Sequence, residues 1–281
     1  MAQTPDIANL MPDIRAIAEE AGRLALGYFR PGATTSAKVD FKDGGSPVTE
    51  ADLAVDRFLT AKLRALAPDF GWLSEETEDS AERLSRSHIF VVDPIDGTRA
   101  FARGDEDWTI AIGIVEQGRA IGGLVHAPVT GLTYEAVLGA GATRNGVALS
   151  CAVGPALQNA RIAGPRPLVE ALDRAAGPFL KAKRIHSLAY RFAAVTDGTI
   201  DGAVAEKNAH DWDLAAVDVI VHEAGGVLVA SNGEKPVYNR SSTMHEALAA
   251  GPPALAKALA DALALDPARR AASAPESKLL D

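Results

Sequence analysis

Within six residues, Asp93-Pro94-Ile95-Asp96-Gly97-Thr98 brings together two carboxylates, a backbone carbonyl and a helix-start signal. Carboxylates are the hard oxygen ligands that Mg2+ prefers, and the free N–H groups of a helix start attract phosphate oxygens. Just upstream, His88 to Val92 is a short apolar, β-rich run that reads as a buried strand, so Asp93 is expected where that strand runs out, on a rigid edge. Pro94 blocks further ladder pairing, Gly97 lets the backbone turn sharply against a ligand, and Thr98 opens or caps a helix. One turn of chain is thus equipped to hold metal and phosphate together. The same Asp-x-x-Asp-Gly spacing also serves plain turns, in which Asp caps and Gly takes a positive φ, so the choice rests on other segments.

Glu75 and Glu76 follow Gly71-Trp72-Leu73-Ser74, a brief strand that delivers two acids at its end, where ligands are well placed. Asp213, within His210-Asp211-Trp212-Asp213-Leu214-Ala215-Ala216, is expected at a helix start. There it is either an N-cap worth about 1 kcal/mol or a further ligand, and the company of the other acids favours the ligand. Thr49 heads a helix with Asp52 three residues on, which is capping-box spacing. Lys42 lies in the polar, Gly-rich stretch from Thr34 to Pro47, a loop or loose hairpin, and either reaches a substrate or points to solvent. The six histidines lack zinc-type spacing, so His210 and His222 read as packing or hydrogen-bonding residues. Asp105-Glu106-Asp107 reads as a solvated loop, and Trp108 and Trp212 as core anchors.

The elements that must position these groups alternate in a regular way. Ile7 to Phe29 has apolar residues at helical spacing and ends at Pro31-Gly32; a second helix runs from Thr49 to about Ala67. Thr109 to Val115, Ala120 to His126 and Leu132 to Val137 are strand-like runs separated by turn residues, an antiparallel meander. Beyond the Gly-rich stretch Gly139 to Gly146, strands are expected at Ala160 to Ala163, Lys183 to His186, Gly202 to Ala205 and Gly226 to Ala230. Helices are expected at Leu168 to Ala176, Ala189 to Thr196, Asp213 to Ala224 and Ala254 to Leu263. Residues 1–142 form an α+β half with most of the acids, 143–265 an α/β half with Asp213, and 266–281 a frayed or disordered tail.

Composition narrows the class further. The chain has 281 residues, enough for one large domain or two modest ones, and 47% apolar residues, enough for a full core. A net charge of −9 argues against nucleic-acid polymers and acidic membranes as partners and suits a protein that gathers divalent cations. Cys151 is the sole cysteine, which excludes an internal disulfide; no secretory start and no membrane-spanning run is apparent, so a cytoplasmic protein is expected.

Taken with Glu223-Ala224-Gly225-Gly226 and the Ser46-Pro47-Val48-Thr49-Glu50-Ala51-Asp52 run, these motifs resemble the inositol monophosphatase superfamily of Mg2+-dependent, lithium-sensitive phosphatases over about Ala18 to Ala250. The resemblance implies an α/β fold, a layered αβαβα sandwich, and a homodimer. It further implies that Glu75, Asp93 and the Ile95 carbonyl hold one Mg2+ and that Asp93, Asp96 and Asp213 hold a second, with Asp93 bridging. A third, weaker Mg2+ would share Glu75 through water. Asp52 and Thr98 would orient and help deprotonate the attacking water, making Asp52, Thr98 and Glu75 the catalytic groups, while the Gly97 and Thr98 amides bind phosphate. Two metals a few Å apart stabilise the entering and leaving oxygens of an in-line displacement, so no protein nucleophile is needed.

The implied substrate is a small phosphate ester. Glu206 lies seven residues before Asp213, the spacing at which inositol-type members place a Glu on substrate hydroxyls, which favours a polyol phosphate such as inositol monophosphate. Thr98-Arg99-Ala100-Phe101 and Gly123-Leu124-Val125-His126-Ala127-Pro128 resemble instead bacterial 3'(2'),5'-bisphosphate nucleotidases, for which Lys183, Arg184 and Arg191 would supply a second anion site unless they form a solvated helix face. Histidinol phosphate is a further alternative, and a non-catalytic metal- or partner-binding module stands outside this class. Ser74 and Ala100 depart from the family's usual Gly and Asn without removing a ligand.

Overall fold

The computed structural model describes residues 6–42, 45–151 and 153–265. The tail 266–281, expected to be frayed, lies outside the described residues, as do Asp43 and Gly44 of the first loop. Helices α1 (Ile7–Tyr28) and α2 (Glu50–Leu66) flank a small hairpin, β1 (Val39–Phe41) and β2 (Pro47–Thr49). A seven-stranded sheet follows in chain order: β3 (Gly71–Ser74), β4 (His88–Asp96), β5 (Thr109–Glu116), β6 (Arg119–Ala127), β7 (Leu132–Val137), β8 (Gly141–Arg144) and β9 (Val147–Ala148), with the short helix α3 (Thr98–Arg103) between β4 and β5. Only β3 and β4 run parallel; the other neighbours are antiparallel.

After Ala148 the strands change sheet. The second sheet has five strands in the order β11-β10-β12-β14-β13, formed by β10 (Arg161–Ala163), β11 (Leu180–Lys181), β12 (Gly202–Ala205), β13 (Val227–Ala230) and β14 (Leu248–Gly251). Helices α4 (Arg166–Ala176), α5 (Leu188–Thr196), α6 (Asp211–Glu223) and α7 (Pro253–Leu265) complete the chain. Three apolar clusters mark three layer contacts: α1 and α2 against the large sheet, α5 and α6 between the sheets, and α4 and α7 against the small one. The result is the expected αβαβα sandwich. Among the described residues no helix is long and apolar enough to cross a membrane.

The middle layer is where sequence sets the site. A Cβ on Gly123 would lie 2.1 Å from the Ala216 carbonyl oxygen, and one on Gly113 would lie 2.9 Å from the Ala215 Cβ. Bare backbone on β5 and β6 and small residues on α6 therefore let this helix sit directly on the sheet. That contact carries the start of α6 to the end of β4.

Several expectations need correction. The Gly-rich stretch Gly139 to Gly146 holds a strand that was not expected, β8, with Gly139, Gly141 and Gly146 at positive φ in its turns. Lys183 to His186 forms no strand; the edge strand is the preceding β11, and the segment after it is drawn off toward Asp107. β4 does not stop at Asp93: it pairs Asp93 with Ala111, loses register, and pairs Asp96 with Thr109. Pro94, which has no N–H, sits in that bulge, so pairing is interrupted rather than ended.

Candidate active site

The β4 bulge lies between Asp93 and Asp96, both still paired to β5, and the two carboxylates meet Asp213 at the start of α6. One oxygen each from Asp93, Asp96 and Asp213 lies within 4.8 Å of the others. Asp93 is 1% exposed and Asp96 6%. Asp93 accepts the Ile95 amide through Oδ1 at 3.1 Å, a local turn that fixes its rotamer. Asp213 is not the N-cap of α6: His210 holds that place, and Asp213, at the third helical position, accepts the His210 amide at 2.6 Å. The carboxylate thus closes a capping box and keeps its other oxygen for the cleft.

Glu75 reaches the same cleft by a different route. β3 lies parallel to β4 with Ser74 opposite Val92, and the Glu75 amide continues the ladder to the Val92 carbonyl at 3.2 Å, which sets Glu75 beside Asp93. Lys42 Nζ bridges Glu75 Oε1 and Glu76 Oε1, each at 2.8 Å. Burial works against the Lys42 charge, but the two glutamates outweigh it and its pKa is raised. Ser74, where the family pattern often has Gly, donates to Asp56 on α2 at 2.5 Å and ties the strand end to that helix.

Asp52 is 1% exposed and closes the expected capping box with Thr49, accepting its amide at 2.8 Å and its hydroxyl at 2.5 Å. Its Oδ1 faces the cleft and accepts the Thr98 hydroxyl at 3.0 Å, and the same hydroxyl lies 3.1 Å from the Ile95 carbonyl. Gly97, at φ 97°, turns the chain into α3, so the Gly97 and Thr98 amides open its first turn. Asp52, Glu75, Asp93, Ile95, Asp96, Gly97, Thr98 and Asp213 are therefore neighbours. Lys42 joins them through Glu75. Glu206 is exposed at the end of β12 and makes no described contact with these acids, though its charge is felt by Arg191.

The electrostatics favour a cation. Burial first, then Glu75, Asp96, Asp213 and Asp52, hold Asp93 well above the usual carboxylate range; Asp213 is raised in the same way, by burial and then by Asp96 and Glu75. Burial pushes Asp52 up to about 6 and Glu76 to about 7. Buried like charges are tolerated when protonated, paired or bound to metal. An all-oxygen donor set suits a hard divalent ion, so the residues present fit such a metal.

Some functional neighbours were not legible. The start of α5 grips Asp96: Ser187 Oγ donates to Oδ2 at 2.6 Å, and the Leu188 and Ala189 amides donate at 3.1 and 2.6 Å. Arg191, for which an anion site and a solvated helix face were both open, is 4% exposed, and its charge acts on Asp96 and Asp213 while burial pushes its own pKa down to about 10. Asp107 is no solvated acid but pairs with His186. Trp108 is a core anchor as expected, whereas Trp212 is only partly buried and stacks on His210 with centroids 4.4 Å apart. Ser187 before an apolar helical run was the one available signal, as an N-cap.

Comparison with known proteins agrees with this geometry. The profile of the inositol monophosphatase family matches residues 9–265. The chain is 30% identical over 251 residues to the 3'(2'),5'-bisphosphate nucleotidase CysQ of Aggregatibacter actinomycetemcomitans, covering 83% of this chain and 88% of that protein. It is equally 30% identical over 242 residues to the inositol-1-monophosphatase of Rhizobium meliloti, covering 82% and 88%. The crystal structure of the extragenic suppressor protein suhB from Bartonella henselae superposes with a TM-score of 0.79 at 26% identity, over 91% of this chain and 98% of that one. With the acids, the fold and these relatives in agreement, the chain belongs to the inositol monophosphatase family and is a phosphatase that hydrolyses phosphate monoesters.

Proposed function

We propose that the protein is a Mg2+-dependent hydrolase of a small polyol phosphate, such as inositol monophosphate. The observation that carries this reading is the convergence of buried Asp93 and Asp96 with half-buried Asp213, from two elements of different halves, on one point. Glu75, Asp93 and the Ile95 carbonyl would hold one ion, and Asp93, Asp96 and Asp213 a second. When bound, Mg2+ supplies positive charge to the oxygens that enter and leave phosphorus. Water adds to phosphorus as the ester P–O bond breaks. The Thr98 hydroxyl, already donating to Asp52, orients that water and relays its proton to the carboxylate, while the departing alkoxide takes a proton from solvent. An acid poised near 6 is a suitable acceptor near neutral pH. The Gly97 and Thr98 amides bind the phosphate oxygens, and Glu206, exposed beyond Asp213, receives the substrate hydroxyls.

A nucleotide bisphosphate is the second reading. It is favoured by a cavity of about 690 Å3 beside the α5 start, lined by Lys183, Arg184, His186 and Tyr190, whose cations and ring suit a second phosphate and a base. Phosphate release with Mg2+ from inositol 1-phosphate and from 3'-phosphoadenosine 5'-phosphate, each with and without Li+, separates the two. Preference for the inositol ester, lost in Glu206→Ala, supports the polyol reading; preference for the nucleotide refutes it. From the family resemblance we also propose a homodimer, which light scattering would register as twice 29.3 kDa.

A further inference from the structure

Behind the acid cluster, Asp107 meets His186 and Ser187, an arrangement that the proposed chemistry does not use. Asp107 Oδ2 accepts the His186 amide at 2.5 Å, the His186 Nδ1 lies 2.8 Å from the same oxygen and 3.0 Å from Oδ1, and the Ser187 amide donates to the Asp107 carbonyl at 3.1 Å. Arg103, which can only donate, places Nη2 3.0 Å from His186 Nε2. Nε2 is therefore the acceptor and Nδ1–H the donor, so the ring has one orientation. Asp105, Asp107 and His186 lie close enough to meet a single ion, but both His186 nitrogens are already engaged, Nδ1 by Asp107 and Nε2 by Arg103, and Arg103 also holds Asp105. The group is a clamp rather than an ion site.

We propose that Asp107 is a positioning residue for Asp96: by clamping His186 and Ser187 it fixes the first turn of α5, and that turn fixes the Asp96 carboxylate. Both Asp96 oxygens are held by donors from residues 187–189, so the direction in which this carboxylate presents its remaining lone pairs depends on where that turn sits. Residues 182–187 belong to no helix or strand, so individual contacts place them: the Ser187 amide on the Asp107 carbonyl from the backbone, and the Asp107 carboxylate on the His186 amide and ring from a side chain. Asp107 is suited to this because it stands two residues before Thr109, the ladder partner of Asp96, and Thr109 Oγ1 itself lies 3.0 Å from Ser187 Oγ. The contacts form a closed ring: Asp96, the α5 turn, His186, Asp107, β5 and back to Asp96. The ring also fills the space under the phosphate turn, since a Cβ on Gly97 would lie 3.3 Å from both the Asp107 carbonyl oxygen and the Ser187 nitrogen.

The inference rests on reading Asp96 as a metal ligand, for which outer partners commonly set affinity by about 10–100-fold. Mn2+ binding to the full chain, followed by calorimetry and by the Mn2+ paramagnetic resonance signal, tests it in the wild type, Asp96→Asn, Asp107→Ala, His186→Ala and the double variant. Asp96→Asn identifies the ion that depends on this carboxylate. Asp107→Ala is expected to weaken that ion by about tenfold or more, to leave the other unchanged, and to lower the metal-free melting temperature only slightly. The double variant should bind no more weakly than Asp107→Ala alone, as residues acting through one contact do. Wild-type binding by Asp107→Ala, equal weakening of both ions, or additive losses in the double variant would each overturn the proposal. Wild-type binding by Asp96→Asn would instead sink the metal-ligand reading on which it stands. Should Asp107→Ala fail to fold, Asp107→Asn, which keeps an acceptor for the His186 amide, is read by the same outcomes.

Discussion

Replacing Asp93 with Asn should stabilise the metal-free protein and remove most of the stabilisation that Mg2+ brings. The carboxylate oxygens of Asp93, Asp96 and Asp213 lie within 4.8 Å of one another, and at an effective dielectric of about 20 two unit charges so placed repel by roughly 3.5 kcal/mol. Protonation relieves part of this, which is why Asp93 is held so far above the usual range by burial and by its acidic neighbours. An uncharged side chain should therefore stabilise the metal-free fold by about 1–3 kcal/mol, less than the full Coulomb repulsion because protonation already relieves part of it. Asn has the same shape and keeps an oxygen for the Ile95 amide, so no packing loss offsets the gain. For a chain of this size that is roughly 2–10 °C in melting temperature. Mg2+ at a hundred times its dissociation constant should add about 2.7 kcal/mol to the wild type and little to the variant, which lacks the shared ligand. Calorimetric melting at pH 7, first in EDTA and then with rising Mg2+, gives both halves of the test. A variant less stable than wild type in EDTA, or one that gains as much from Mg2+, would refute the reasoning.

Gly123→Ala should cost about 1–3 kcal/mol, because its Cβ would lie 2.1 Å from the Ala216 carbonyl and must push α6 outward; Asp213 moves with the helix, so the variant should also need more Mg2+. Gly27→Ala, where a Cβ meets nothing within 4 Å, is the control, and equal melting of the two variants would count against the seating of α6. Asp52→Asn should lower kcat by about 10²–10⁴-fold while the melting temperature holds or rises. The base must be ionised to act, so the wild-type rate should fall as pH drops through about 6 or below, and a variant that keeps this acid limb would remove Asp52 from the role. Asp218 accepts the Tyr238 hydroxyl at 2.9 Å and burial pushes it up to about 6. Between about 4 and 6 the folded state then holds more protons than the unfolded, so its contribution to stability falls as pH rises across that window, and Asp218→Asn should flatten the slope and stabilise at pH 7 by up to about 2 kcal/mol; unfolding at stepped pH in EDTA decides it.

What could be read from the sequence was what local chain chemistry specifies. The Thr49–Asp52 capping box depends on three-residue spacing, and the meander depends on apolar runs separated by turn residues, so both appear where expected. Interruptions of regular structure were harder. Pro94 signals lost pairing, but only the partner strand shows that pairing resumes at Thr109. Asp213 carries the composition of an N-cap, yet the His210 backbone takes that place because Asp213 serves it from the third position. β14, Leu248–Gly251, consists of small residues with weak strand preference and forms because β12 and β13 pair with it on both sides. Asp107 was misread, and Arg191 left open between an anion site and a solvated face, for one reason: burial of a polar side chain depends on the layer covering it. Asp107 meets a partner 79 residues away, beyond any periodicity.

The same division explains how the site is built. Asp52 is set by a capping box, Glu75 by a parallel pair, Asp93 and Asp96 by a bulge, and Asp213 by the first turn of α6. Each device is short-ranged, which is why each left a motif in the sequence. All but the last belong to the first half of the chain and its sheet. Asp213 must arrive from the second half, and it does so only because β5 and β6 are bare at Gly113 and Gly123 where Ala215 and Ala216 land. The Coulomb cost of bringing a further carboxylate to Asp93 and Asp96 opposes that seating until a cation is present. Metal binding and the packing of α6 are therefore coupled: ions should tighten the contact between the halves, and any substitution that lifts α6 should weaken the ions even when it touches no ligand.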